Sequence, residues 1–87
     1  MTYRALLRRL EESPFKSFRI RLVNNTVYDV FDPDMVIIGL ASAVVVIQYE
    51  RDEQGRRVAG DWRTISIGHI IEFSDIDDKE VRRRKRA

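Results

Sequence analysis

"TISIGHIIEF", residues 64–73, contains the only histidine of this 87-residue chain, directly after the last glycine and with isoleucines on both sides. Apolar and polar residues alternate before Gly68, and the apolar pattern resumes after His69, which is typical of two short β-strands that meet at a bend. Because glycine permits a sharp bend, we expect the two halves to form one bent strand that closes a small β-structure. His69 would then bind backbone groups at the bend through its ring nitrogens.

The preceding sequence predicts one helix and a first hairpin. Thr2 can cap a helix that Ser13-Pro14 ends, because the residue before a proline is pushed out of the α region. The apolar stripe of this helix consists of Tyr3, Leu6, Leu7 and Leu10. Asn24-Asn25 predicts a turn, because asparagine tolerates positive φ. The strand before this turn has alternating apolar residues, Phe18, Ile20 and Leu22, and the returning strand covers Thr26 to Phe31.

The middle of the chain predicts two more strands. Asp32-Pro33-Asp34 ends the first hairpin, and the runs Met35 to Leu40 and Ala43 to Tyr49 follow it, separated by Ala41-Ser42. Both runs are rich in β-branched residues, so we expect them to be buried on both faces or nearly so. The polar segment from Glu50 to Asp61 predicts a long hairpin loop.

One helix followed by about five short strands, with connections too short for crossover helices, predicts an antiparallel meander. Closure of such a sheet removes exposed strand edges. We therefore expect a mainly β protein, with an N-terminal α-helix followed by a five-stranded antiparallel small barrel of the Sm-like or SH3-like type. The helix and barrel would form one domain over residues 1–74, and residues 75–87 a charged C-terminal tail or short helix.

Composition indicates a small globular protein of the cytoplasm. Apolar residues make up 44% of the chain and charged residues 34%, well away from the composition of disordered proteins. There is no cysteine, which excludes disulfides, thiol catalysis and thiolate metal sites. The sequence has neither a signal-peptide pattern nor an apolar run of about 18 residues, so we expect a soluble protein without a membrane partner.

Positive charge is concentrated at the two ends of the chain. The net charge is +2, yet residues 1–81 carry 11 basic and 14 acidic side chains, and five consecutive basic residues follow. Long runs of like charge are often interaction tails. The candidate phosphate-binding residues are Arg4, Arg8, Arg9, Arg19, Arg21, Arg82, Arg83, Arg84, Lys85 and Arg86. The alternative is a solvated face with local ion pairs, such as Arg8 with Glu12, and a helix whose basic end complements its dipole.

The sequence offers little for catalysis or metal binding. His69 could act as a base or a ligand, but the chain has no cysteine and no second histidine to act with it. Asp32 and Asp34 flank a proline, which favours turn formation over cation binding. Asp75, Asp77 and Asp78 lack the glycine and distal glutamate of a calcium loop and indicate a helix N-terminus instead. We therefore expect neither an enzyme nor a cofactor or metal.

Three stretches, "SPFKSFRIRL", "FDPDMVIIGLASAVVV" and "TISIGHIIEF", together resemble a family of short uncharacterised bacterial proteins. Members of that family run PF-x-x-FRI, then a histidine-or-aspartate-Pro-acidic turn before a valine-rich strand, then a TVS-x-x-HI ending. The resemblance covers residues 13–73 and implies no activity.

A second resemblance is to Sm-like proteins, which share the order of one helix and five strands. The stretch from Phe31 to Met35 is similar to their F-D-x-x-M-N signature, but Val36 stands where that family places its base-contacting asparagine. Asp29 stands where a glycine is expected, and Ile67-Gly68 replaces the closing Arg-Gly pair. The resemblance implies the fold and not the RNA pocket.

These observations predict a self-associating, non-catalytic binding module, with RNA or DNA as the first candidate ligand. The alternative is a protein-interaction or assembly subunit, from a phage or other mobile element, whose tail binds an acidic protein partner. The homo-oligomer expectation rests on the small size of the domain and on its apolar strands, whose edges need cover.

Overall fold

A computed structural model of the protein describes residues 2–77 and 79–80. Within these residues the chain forms an N-terminal α-helix and six strands, mainly β as predicted. In chain order they are α1 (Tyr3–Leu10), β1 (Phe18–Leu22), β2 (Val27–Val30), β3 (Val36–Ile38), β4 (Ser42–Arg51), β5 (Arg57–Ser66) and β6 (Ile70–Asp75). Short 3-10 turns at Pro33–Met35 and Ile67–His69 connect β2 to β3 and β5 to β6. No helix in the described part of the chain is long and apolar enough to cross a membrane.

Helix α1 begins after Thr2, whose carbonyl oxygen accepts hydrogen bonds from the amides of Ala5 and Leu6 at 3.2 and 3.4 Å. The Thr2 side chain makes no capping hydrogen bond, so only its backbone serves the helix start. Three of the four predicted stripe residues are confirmed, because Leu6 is fully buried and Tyr3 and Leu10 pack against the same core, whereas Leu7 does not belong to it.

The first sheet has the strand order β2-β1-β6, and both pairs are antiparallel. Its inner face carries Phe18, Ile20 and Leu22, as the alternation predicts. The turn that joins β1 to β2 places Asn25 at φ 66°, and the Asn24 side chain accepts a hydrogen bond from the Thr26 amide at 3.0 Å. Asparagine is suited to both requirements, so the predicted hairpin is confirmed.

The second sheet has the strand order β3-β4-β5, again antiparallel. The chain enters it through Asp32-Pro33-Asp34, where the Asp32 carboxylate accepts a hydrogen bond from the Asp34 amide at 3.0 Å. This geometry confirms the predicted turn. The chain returns to the first sheet through the turn Ile67–His69, at the position where the sequence predicts a bend.

One hydrophobic core lies between the two sheets, and α1 covers part of it. Its most deeply buried large side chains are Phe18, Leu6, Ile20, Ile67, Val30 and Val45. The Phe18 ring meets the rings of Phe15 and Phe73 edge-on, with centroid distances of 6.1 and 5.5 Å. Such pairs stabilise a core beyond their buried area.

The prediction of five strands in a closed barrel is wrong for the described residues, which form six strands in two separate sheets. The expected single bent strand is interrupted at Ile67–His69, and its two halves, β5 and β6, belong to different sheets. Gly68 does not have a positive φ, and a Cβ there would meet only the Ser66 hydroxyl at 3.7 Å. The turn therefore does not depend on glycine, and the bend at this position is a change of sheet.

Two predictions about the second sheet are also wrong. Glu50 to Asp61 is mostly strand, because β4 and β5 pair as far as Arg51 and Arg57 and leave a turn of only residues 52–56. Gly55 in this turn has φ 77°, a conformation that favours glycine. The strands are also not buried on both faces, since Ile37 is 65% exposed.

The packed structure extends slightly beyond the predicted boundary at residue 74. β6 ends at Asp75, and Ile76 is buried, with its amide donating to the Ser17 carbonyl at 3.2 Å. Residues 78 and 81–87 of the predicted tail lie outside the described residues.

Candidate functional site

Two of the candidate phosphate-binding residues, Arg4 and Arg8, lie on the exposed side of α1. Neither forms an ion pair with any other described residue. Leu7 lies between them on a surface groove that Glu11 and Glu12 also line. Of the candidates that the structure describes, these two arginines are the ones open to an external anion.

Arg9, on the same helix, is turned towards the core. Its Nη2 lies 2.6 Å from Asp75 Oδ1 and its Nη1 3.7 Å from Glu12 Oε1, while the guanidinium carbon lies 4.8 Å from the centroid of the Phe18 ring. The hydrogen bond from Arg9 lowers the pKa of the Asp75 carboxyl. The predicted pairing of Glu12 with Arg8 is thus wrong, because Arg9 takes that position. Arg9 links α1 to β6 and is not an open anion site.

Arg19 and Arg21 lie side by side on the outer face of the first sheet, each opposite an acid on a neighbouring strand. Arg19 Nε lies 2.7 Å from Asp29 Oδ1, and its Nη2 lies 3.3 Å from Glu80 Oε1. Arg21 Nε donates to Glu72 Oε1 at 2.9 Å, and this hydrogen bond lowers the pKa of the Glu72 carboxyl. Cross-strand acids therefore already neutralise both arginines.

The five remaining candidates lie outside the described residues; they are Arg82, Arg83, Arg84, Lys85 and Arg86. The last described residue, Glu80, contacts Arg19, so the chain reaches the outer face of the first sheet shortly before this basic segment. Sequence reasoning found the arginines but not their partners, because Glu72, Asp75 and Glu80 are more than 50 residues away along the chain.

His69 is exposed, and its ring makes no hydrogen bond within the described part of the chain. The prediction that its ring nitrogens bind backbone groups is therefore wrong. The contact at this position comes from the backbone, since the His69 carbonyl accepts a hydrogen bond from the Val23 amide at 2.9 Å. This bond joins the turn after β5 to the turn after β1.

The acidic residues near the end of the chain do not form a cation site where they are described. Asp77 accepts a hydrogen bond from the Lys79 amide at 2.7 Å, and Lys79 and Glu80 are helical. A helix N-terminus is thus confirmed, but Asp77 caps it while Asp75 binds Arg9; Asp78 lies outside the described residues. The described residues contain no group of three histidine, aspartate or glutamate side chains that could hold a metal ion.

The outer face of the second sheet is the surface that sequence reasoning missed. The strand register places Ile37 beside Val44 and Thr64, and Val46 beside Trp62, all on the side away from the core. Trp62 is 52% exposed. The sequence contained a signal for this surface. Side chains alternate between the two faces of a strand, so if Ile65 and Ile67 point inward, Trp62 must point outward, because it is an odd number of residues away from both.

Two further features describe what the surface can do chemically. Among the described residues no polar or charged residue is buried as a whole, but two polar side-chain atoms, Arg9 Nε and the Tyr49 hydroxyl oxygen, are buried. A groove of about 530 Å³ is mostly apolar and lies between the start of α1 and the turns at Leu40 and Gly68. Comparison of the chain with models of protein families, with characterised proteins and with solved structures found no match.

Proposed function

We propose that this protein is a non-catalytic binding module that associates with itself. The observation that carries the proposal is the uncovered state of the second sheet. Its edge strand β5 pairs on one side only over ten residues, the longest open edge among the described strands. The strands of this sheet also carry four of the eight large apolar side chains that are exposed in the described chain, namely Ile37, Ile47, Val58 and Trp62.

Natural proteins protect strand edges with short strands, charges or covering elements. The other three edge strands are shorter, since β2, β3 and β6 have only four, three and six residues. β5 has ten residues and carries the charged residues Arg57, Asp61 and Arg63 together with exposed apolar ones, and in this proposal association covers the apolar part. The topology also supports a partly open small barrel of the Sm-like or SH3-like type, in which β2 and β3 would act as one strand interrupted at Pro33–Met35 and cross from one sheet to the other.

RNA or DNA is the first candidate ligand in this proposal. Arg4 and Arg8 are exposed and free of ion pairs with described residues, and five basic residues follow at positions 82–86. Phosphate binding by these residues would release counterions from the nucleic acid. The absence of an asparagine at Val36 argues against the base-reading pocket of Sm-like proteins, so binding would be insensitive to sequence.

The second candidate function is an assembly subunit, of a phage or other mobile element, that binds protein and not nucleic acid. One observation favours it: Arg9, Arg19 and Arg21 already pair with acids of the same chain. In this case the basic tail would bind an acidic protein partner.

Binding of fluorescently labelled single-stranded RNA and DNA, measured by anisotropy at several salt concentrations, distinguishes the two functions. We compare the full chain, a chain ending at residue 81, and two double variants with equal charge loss, R4Q/R8Q and R19Q/R21Q. If the protein binds nucleic acid, the slope of log affinity against log salt should shrink by about 0.7 for each phosphate that the protein no longer binds. We expect this change on truncation and in R4Q/R8Q, but not in R19Q/R21Q.

No binding of the full chain to either polymer at about 50 mM salt, where charges are least screened, would refute the nucleic-acid function and leave the assembly subunit. Self-association is tested separately, by sedimentation. A protein that stays monomeric up to millimolar concentration would refute that part of the proposal.

A further inference from the structure

The outer faces of the two sheets differ in chemistry. The first sheet presents Arg19 and Arg21 beside Asp29 and Glu72, as expected for a sheet with one face in water. The corresponding positions of the second sheet carry no charge. They are Ile37 on β3, Ser42, Val44 and Val46 on β4, and Trp62, Thr64 and Ser66 on β5.

The two large exposed apolar side chains on this uncharged face, Ile37 and Trp62, lie on opposite sides of β4, with Val44 and Val46 between them. Trp62 and Ile37 are 52% and 65% exposed, and Val44 lies in register next to Ile37. Val46 lies opposite Trp62 on the outer side of the sheet and is therefore not part of the core between the sheets. Its side chain is nonetheless nearly buried. A contiguous apolar patch of this kind on a small protein marks an interaction site.

We infer that the uncharged face, defined by the seven residues from Ile37 to Ser66 named above, binds the same face of a second copy of this chain. The inference rests on the proposed self-association and names its surface. A two-fold pair would place no like charges opposite each other, whereas a nucleic acid or a charged protein would find no group on this face to pair with. Two sheets packed in this way would lie about 10 Å apart, with their apolar side chains interdigitated.

The size of the face sets the strength of the contact. Of the seven residues, only Ile37 and Trp62 have large side chains that are at least half exposed, so a pair would bury less than the roughly 1,200 Å² at which stable complexes begin. We therefore expect a weak, reversible dimer, with a dissociation constant of about tens to hundreds of micromolar.

Trp62 provides a direct probe, because it is the only tryptophan of the chain and lies on the face itself. Sedimentation and acrylamide quenching of tryptophan fluorescence are measured on the full chain from about 10 µM to 1 mM. We expect the mass to rise from 10.3 kDa towards twice that value, while the quenching constant falls at least about twofold over the same concentration range.

Two variants locate the contact, Ile37→Lys on the uncharged face and the matched control Ile71→Lys on β6. Both replace an exposed strand isoleucine, 65% and 45% exposed, by a cation, and circular dichroism verifies that each keeps the fold. We expect I37K to remain monomeric, with unchanged quenching at every concentration, and I71K to associate like the original chain.

Each other outcome counts against a defined part of the inference. Association of I37K at the original strength, or loss of association in I71K alone, would refute this face and leave self-association through a strand edge. A monomer at 1 mM would refute self-association itself. An increase in mass without protection of Trp62 would exclude the face as the contact.

Discussion

Leu6 connects α1 to the core between the sheets, and its replacement by alanine tests whether the helix is an integral part of the fold. The side chain is fully buried, in the same cluster as Phe18 and Ile20. Removing three carbon atoms costs about 2.4 kcal/mol in transfer free energy, at about 0.8 kcal/mol for each buried methylene. The cavity left behind raises the cost, so we expect a loss of about 3 kcal/mol within the range of about 2 to 5 kcal/mol for such substitutions.

The neighbouring Leu7→Ala is a matched control. It makes the same chemical change on the same helix, but Leu7 is only half-buried and lines a surface groove. We expect this variant to lose less than about 1 kcal/mol. Both losses are measured by urea unfolding, monitored by circular dichroism. The slope of the unfolding free energy against urea concentration should stay unchanged, which checks that unfolding remains two-state.

A domain of this size unfolds with a free energy of about 4 to 13 kcal/mol, so Leu6→Ala would remove a large part of its stability. The melting temperature should fall by about 12 to 24 °C, at about 4 to 8 °C per kcal/mol. Equal losses in the two variants would refute the packing of α1 on the core, because a helix that is not docked gains nothing from one face over the other.

Three further variants or pairs of variants test individual features. Tyr49→Phe should raise the free energy of unfolding by about 1 kcal/mol in urea titrations, because the buried Tyr49 hydroxyl has no hydrogen-bond partner in the described chain. A phenylalanine ring would keep the contact with Arg57, and a loss of stability would contradict the prediction. Gly68→Ala should be neutral or stabilising by up to about 1 kcal/mol, whereas Gly55→Ala, at a positive φ, should cost about 1 kcal/mol or more. Equal effects would refute the conclusion that only the turn at Gly55 depends on glycine. Glu72, whose pKa is lowered by Arg21, stabilises the fold above the ordinary glutamate pKa of about 4.3, and this contribution is lost as the pH falls through the lowered pKa. The melting temperature of Glu72→Gln should therefore fall less than that of the original chain between about pH 5 and pH 2.5, and an identical fall would show that the pair adds nothing.

Local sequence patterns predicted the parts of the fold that are decided by neighbours along the chain. The alternation of Phe18, Ile20 and Leu22 identified β1 and its buried face, and Asn24-Asn25 identified the turn because of the conformation that asparagine accepts. The stripe through Leu6 identified the helix in the same way. In each case the deciding interaction lies within a few residues.

The errors occurred where distant segments decide the outcome. The polar residues after Tyr49 have the composition of a loop, but pairing of Glu50 with Val58 and of Arg51 with Arg57 makes them strand. In the run from Ala43 to Val46, small apolar residues occupy both faces, so composition alone could not show that one face is exposed. The same limit affected the candidate site, because the ion pairs of Arg9 with Asp75 and of Arg21 with Glu72 join residues more than 50 positions apart along the chain.

The long hairpin of β4 and β5 gives the domain two levels of cooperativity. β3 pairs only as far as Val45, so the outer half of this hairpin is a ribbon of two strands, and such ribbons are marginally stable alone. Irregular pairing between Val46 and Tyr49 marks the base of the ribbon and leaves it less firmly joined to the sheet. The ribbon can therefore open and close while the core stays folded, so the backbone amides near Gly55 would exchange their hydrogens with solvent long before those of Val45.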